Sequence, residues 1–259
     1  MAIATMDDGC TVAYWESGQP EGPAIVLSNA LGSTHQIWDR QLPVLEPRFR
    51  VIRYDTRGHG ASGVPPDEVT LERLGLDIVG LLDTLGIAKA SVCGVSLGGL
   101  TAQWLGAHRP DRVSRIVLAN TGARIGTVES WTERIGLATT AGLAELADGI
   151  MARWFTPAFH AADPDTVAAI RATFRGLNPQ GYAACCAAVR DADLRPLAKH
   201  IKVPALVVTG NVDESTPPAL GFWLAGAIPD ATLIPLDGAH LAQVEQSAAF
   251  NRALVKFLA

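Results

Sequence analysis

Five short apolar runs constrain the fold of this chain more than any other feature. They are "PAIVLSN" (Pro23 to Asn29), "RVIRYD" (Arg50 to Asp55), "ASVCG" (Ala90 to Gly94), "SRIVLAN" (Ser114 to Asn120) and "PALVVTG" (Pro204 to Gly210). Each is rich in Val, Ile or Leu, closes on Gly, Asp or Asn, and is too short for a helix. Near-continuous apolar strands must be covered on both faces, which is the situation of a mostly parallel sheet. Parallel neighbours need crossover segments, and the intervening sequence is helical. In "TLERLGLDIVGLLDTLG", Thr70 is placed to cap an N-terminus. Leu71, Leu74, Ile78, Leu81, Leu82 and Leu85 then recur at helical spacing, and Gly86 ends the segment. Alternation of this kind defines an α/β fold with right-handed crossovers and helices on both faces of the central sheet.

The alternation lapses between about Gly122 and His200. No strand-like run occurs there, whereas "WTERIGLATTAGLAELADGIMARWF" and "GYAACCAAVRDADLRPLAKH" read as helical and the segment carries Trp131, Trp154, Phe155 and Phe159. The expected organisation is an α/β core in two parts, residues 1–121 and 201–259, with a helical cap inserted over 122–200. The chain carries 21 Lys and Arg against 26 Asp and Glu, a net charge of −5. That balance disfavours nucleic acid or an anionic membrane as a partner, and it is compatible with a small anionic substrate held by one local arginine. The start "MAIATMDDGC" lacks the basic and apolar regions of a signal peptide, and no apolar stretch approaches the ~18 residues of a membrane span, so a cytoplasmic protein is expected. Cys10, Cys93, Cys185 and Cys186 form no Cys-x-x-Cys pair, so neither a disulfide framework nor a zinc site is expected.

The chemistry centres on "GVSLGG", Gly94 to Gly99, which follows one apolar run and opens the helical "LGGLTAQWLGAHRP". A strand–Gly-x-Ser-x-Gly–helix arrangement is the context of a nucleophile elbow. There the serine sits on a sharp turn that projects its Oγ, and small flanking residues let strand and helix approach. The Leu97 amide, in the first turn of the helix, faces the place where an oxyanion would form. A neutral hydroxyl needs a base. Of six histidines, His240 in "LDGAHLAQVEQ" follows the strand-like "ATLIPL" and precedes a terminal helix, which sets it at the same sheet edge as Ser96. His59 is read as an organiser of its own loop, and His35 as a residue able to touch substrate. The base in turn needs an acid to fix its tautomer. Asp213, directly after "ALVV", fits, with Glu214 as the adjacent competitor. The loop after the preceding strand, "LANTGA", offers no acid. The order Ser96, Asp213, His240 is that of an α/β-hydrolase triad. A second oxyanion donor is expected from "VLSNALGSTHQIW", at the Leu31 amide or alternatively at Ala30.

On these residues the chain resembles the α/β-hydrolase family. The elbow, "YDTRGHGAS", Asp213 and "GAHL" carry the resemblance. Within that family it resembles the 3-oxoadipate enol-lactonases, through "LSNALGSTHQIWD", "LANTGARIGT", "MARWFTPAF" and "GYAACCAAVRDADLR". The resemblance implies hydrolysis of a small anionic lactone in bacterial aromatic catabolism, through an acyl-enzyme on Ser96 and without a metal or organic cofactor. The substrate of such an enzyme carries a free carboxylate, which a buried site must pair. The cap offers Arg124, Arg134, Arg153, Arg171, Arg175 and Arg190. Arg134 lies three residues after Trp131, so the two share a helix face. These two are read as substrate contacts, with Trp154 as an apolar wall. The same triad also serves esterases, perhydrolases and carbon–carbon bond hydrolases, and some proteins of this fold act as ligand receptors.

Overall fold

The computed structural model describes residues 1–259. One sheet of eight strands runs in the order β1-β2-β4-β3-β5-β6-β7-β8. β3 (Ala24–Ser28), β4 (Arg50–Tyr54), β5 (Ala90–Val95), β6 (Val113–Ala119), β7 (Ala205–Gly210) and β8 (Ala231–Leu236) are parallel. The five apolar runs correspond to β3 to β7, within a residue at either end. Every residue of β5 and β7 is buried, as strands covered on both faces must be. β1 (Ala2–Thr5) and β2 (Thr11–Gly18) add an antiparallel margin, β1 on β2 and β2 on β4. β1 is the edge strand and β2 its neighbour, and both are largely exposed or half-buried, so they lack the apolar run that marks the inner strands.

The helices are α1 (Leu42–Leu45), α2 (Leu71–Thr84), α3 (Leu97–His108), α4 (Val128–Thr140), α5 (Leu143–Trp154), α6 (Pro157–Ala162), α7 (Pro164–Arg175), α8 (Pro179–Asp191), α9 (Pro218–Ala227), α10 (Ala242–Glu245) and α11 (Ser247–Leu258). α2 starts where its sequence indicates. The Thr70 hydroxyl accepts from Arg73 N at 3.1 Å, and the leucine and isoleucine stripe is buried through Leu82. Five helices, α4 to α8, stand between β6 and β7. The stretch Trp131 to Phe155 is not one helix. It breaks at Ala141 and Gly142, where Gly142 takes φ +84°, and α4 and α5 pack against each other. α6 and α7 each begin with a proline behind a capping Thr156 or Asp163. After α8 ends at Asp191 the chain is irregular until a single 3-10 turn at Ala198–His200.

This helical layer is fastened to the loops at the C-terminal ends of the strands. Arg40, after β3, pairs with Asp163 at the start of α7. Gly181 of α8 meets Gly58, after β4, backbone to backbone, so that a Cβ on Gly58 would lie 2.7 Å from the Gly181 Cα. The Leu241 amide, after β8, donates to the Trp154 carbonyl at the end of α5, 3.0 Å away. "AACCAAV" is accordingly a close-packed seam, in which Cys185 Sγ lies 3.2 Å from the Arg57 carbonyl. The layer and the strand ends enclose a cavity of about 300 Å³.

Candidate active site

Ser96 joins β5 to α3 with φ 57° and ψ −113°, one of three non-glycine residues with positive φ. Such a backbone persists only where its surroundings hold it. The Ser96 amide donates to the Ala119 carbonyl at 3.0 Å, and the Thr121 hydroxyl donates to the Ser96 carbonyl at 2.8 Å. The glycines explain the closeness of the turn. A Cβ on Gly94 would lie 2.7 Å from Gly99 N, and one on Gly98 would lie 2.5 Å from the Ser28 carbonyl carbon. The elbow is thereby pressed onto the loop after β3, and the Gly98 amide donates to the Asn29 carbonyl at 3.0 Å. Ser96 lines the cavity, and no hydrogen bond ties its hydroxyl to the protein, His240 included.

Asp213 follows β7 and His240 follows β8, and both are buried. His240 Nδ1 lies 2.9 Å from Asp213 Oδ2. The same oxygen accepts from the Thr216 hydroxyl at 2.6 Å and from Asn120 Nδ2 at 2.9 Å, while Oδ1 accepts from the amides of Ser215 and Thr216. Burial alone would raise this carboxyl. The His240 charge and these hydrogen bonds outweigh burial and hold it below the usual carboxylate range. Glu214 is exposed on the cavity wall and makes no bond to His240. Asn120 sits after β6, the position where "LANTGA" lacks an acid. It uses a left-handed backbone, φ 43°, and its amide to steady the Asp213 carboxylate instead.

The His240 loop is also tied to the helical layer. Glu245 accepts from the Ala239 amide at 3.1 Å and from the Thr156 hydroxyl. The Trp154 ring lies 6.4 Å from the His240 ring.

Leu97 opens α3, so its amide has no intrahelical acceptor. Leu31 lies in the loop after β3, at the cavity wall, with its amide unpaired. That loop is pinned on several sides. Asn29 Nδ2 donates to the Tyr54 carbonyl at 2.6 Å, Trp38 Nε1 donates to Asn29 Oδ1 at 3.0 Å, and the Gly32 amide donates to His59 Nε2 at 2.9 Å. His59 accepts at Nε2, so the proton is on Nδ1, facing the Arg57 carbonyl at 3.2 Å. Burial pushes its pKa down and favours that neutral ring. His59 therefore organises its own loop and braces the Leu31 loop as well.

Trp131, Arg134 and Trp154 all line the cavity. Trp131 is fixed by an Nε1 donation to the Ile125 carbonyl at 2.7 Å, and the Arg134 guanidinium stacks 4.7 Å above its ring. Trp154 packs edge-on against Phe174. Arg153 and Tyr182 complete this wall. In the sequence Arg153 is only one of several arginines between about Gly122 and His200. Its position beside Trp154 in "MARWF" is the signal that singles it out. Of the others, Arg124, Arg171 and Arg190 form ion pairs with Asp193, Asp148 and Glu68, and Arg175 is exposed. The expectation for His35 needs correction. It does not line the cavity, because its ring is stacked on Trp15 at 3.5 Å and paired with Asp55 at 2.9 Å. No group of three or more His, Cys, Asp or Glu side chains is gathered as metal ligands would be, and no helix is long and apolar enough to cross a membrane.

A serine on a strained turn, a buried His–Asp pair and two free amides about one cavity are the parts of an acyl-transfer hydrolase. Residues 23–247 match the family model described as alpha/beta hydrolase fold, and the chain belongs to that family of hydrolases. Among curated relatives, "3-oxoadipate enol-lactonase 2" of Acinetobacter baylyi is 40% identical over 93% of this chain and 90% of its own length. "3-oxoadipate enol-lactonase 1" of the same organism is 36% identical over 99% of this chain and 96% of its own. The crystal structure of the enol-lactonase from Burkholderia xenovorans LB400 superposes with a TM-score of 0.98 at 44% identity, covering 99% of both chains.

Proposed function

We propose that this protein hydrolyses 3-oxoadipate enol-lactone to 3-oxoadipate, through an acyl-enzyme on Ser96, as a cytoplasmic enzyme of aromatic catabolism. The observation that carries the reading is the composition of one cavity. Ser96 and the His240–Asp213 pair share it with Trp131, Trp154 and an unpaired Arg134. A small, flat, anionic ester answers each of these features. The likeness to enol-lactonases extends through the helical layer that supplies Arg134, and so supports the same substrate. In this reading residues 122–200 act as a cap on a core made of 1–121 and 201–259.

The chemistry follows from the placement of groups. The substrate carboxylate rests against Arg134, and the ring lies between Trp131 and Trp154. Ser96 Oγ turns toward His240 as substrate enters, gives it a proton and attacks the lactone carbonyl. The Leu97 and Leu31 amides receive the oxyanion; one such donor is worth about 10²–10³ in rate. Asp213, kept ionised by its hydrogen bonds, holds Nδ1–H and stabilises the imidazolium. The ring opens by expelling an enolate, which takes the proton from His240 and tautomerises to the ketone. Water then gives a proton to His240 and attacks the acyl-enzyme; the carboxyl group is released and Ser96 recovers its proton.

The test compares kcat/KM on the enol-lactone with that on simple aryl esters of similar size. A strong preference for the enol-lactone is expected. Rapid aryl ester turnover with no lactone hydrolysis would overturn the substrate assignment and leave a general esterase.

A further inference from the structure

We propose that Arg153 receives the carboxylate created by the reaction, so that the cavity prefers dicarboxylates of six-carbon length to monocarboxylates of the same length. The inference rests on the reading above in one respect, the charge of the product. Hydrolysis breaks the acyl C–O bond to Ser96 and adds water across it. The hydroxyl oxygen stays on the acyl carbon, Ser96 regains its proton by way of His240, and the new acid ionises. The product thus carries one more negative charge than the substrate, and that charge arises beside Ser96.

The cavity holds one cation more than the substrate needs. Arg134 and Arg153 both line it, both are half-buried, and neither forms an ion pair. Arginines elsewhere are mostly paired, including the deeply buried Arg57 with Asp77 and Asp8. Glu214 is the one carboxylate at the cavity wall, is exposed, and pairs with neither guanidinium. Burial and the nearby Arg134 charge both work against the Arg153 cation. Two uncompensated guanidinium groups facing one enclosed space are costly until an anion enters.

The two arginines are also placed differently. Arg134 is held over Trp131 on α4. Arg153 lies in the last turn of α5, next to Trp154, whose ring is 6.4 Å from His240 and whose carbonyl accepts from Leu241. Glu214, the neighbour of Asp213, lines the same cavity wall. We therefore assign Arg153, beside Trp154, to the nascent carboxylate, and Arg134, stacked on Trp131, to the carboxylate already present.

Calorimetric titration of the intact protein with adipate and with 6-hydroxyhexanoate tests this without reference to turnover. Adipate is expected to bind about tenfold or more tightly than the hydroxy acid, the scale of one added charge-assisted pair. Arg153→Met should remove most of that preference, chiefly by weakening adipate, and Arg153→Lys should restore part of it. Arg134→Met should weaken both ligands. Thermal melting of each variant serves as the folding control. Equal loss of both ligands in Arg153→Met, or an unchanged ratio, would overturn the proposal. A wild-type protein that prefers adipate yet leaves the enol-lactone intact would overturn the lactonase reading alone; one that hydrolyses the lactone without that preference would overturn this inference alone.

Discussion

Gly98→Ala tests how tightly the elbow and the oxyanion loop are joined. A Cβ at position 98 would lie 2.5 Å from the Ser28 carbonyl carbon and 2.9 Å from the Asn29 oxygen, and closer still to the Ser28 oxygen. Ordinary contact begins at 3.4 Å, so the backbone of the loop after β3 must withdraw by at least about 0.9 Å in an interior that has no slack. The 3.0 Å hydrogen bond from Gly98 N to Asn29 O stands in the path of that movement, and Leu31 lies two residues further along. A displacement of about 1 Å at a donor costs about 10² in rate, and overpacking of this kind costs about 1–3 kcal/mol in stability. Purified Gly98→Ala should therefore melt lower than wild type yet remain folded by circular dichroism, with kcat reduced about 10²-fold and KM much less affected. Steady-state assays on the enol-lactone give both constants. A variant with kcat within twofold of wild type would refute the claim that Gly98 sets the position of the oxyanion loop.

Asp213→Asn should keep the fold but lower kcat by about 10³–10⁴, because an amide lets His240 settle in the wrong tautomer; steady-state kinetics would show a loss under tenfold if the pair matters little. Arg134→Met should raise KM for the enol-lactone at least about tenfold with a smaller effect on kcat, as expected for a group that binds the unreacting carboxylate. His59 has a folded pKa below its unfolded 6.5, so the unfolded chain binds more protons and stability falls as pH drops below 6.5 towards the folded value. His59→Gln, which retains an acceptor for Gly32 N–H, should flatten that part of the melting-temperature profile between pH 6.5 and 5; an unchanged slope would assign the effect to other groups.

The inner strands and the serine turn are legible from local sequence because each depends on its own residues. A strand covered on both faces must be apolar throughout, and a turn at positive φ beside a helix N-terminus requires its glycines. β1 and β2 escape for the complementary reason, since strands of a partly exposed antiparallel margin need no continuous apolar run. Trp131, Arg134 and Trp154 were reachable because helical spacing and aromatic content mark a wall. What the sequence does not display is the support of the site by distant residues. Asn120 and Thr216 at the Asp213 carboxylate, Glu245 between Thr156 and Ala239, and the second bond of His59 to Gly32 each join segments whose approach is decided by the sheet order. His35 illustrates the opposite error. Its place in the loop after β3 suggests substrate contact, but Trp15 on β2 and Asp55 after β4 hold it outside the cavity.

The most direct test of the account is turnover of 3-oxoadipate enol-lactone by purified wild type and Ser96→Ala, with circular dichroism on both. The wild type should turn over the lactone rapidly and repeatedly, and a Ser96→Ala protein whose spectrum is unchanged should lose at least about 10⁴-fold in rate. Near wild-type lactone hydrolysis by folded Ser96→Ala would contradict this expectation, because the reaction would then proceed without the serine on which the whole arrangement converges.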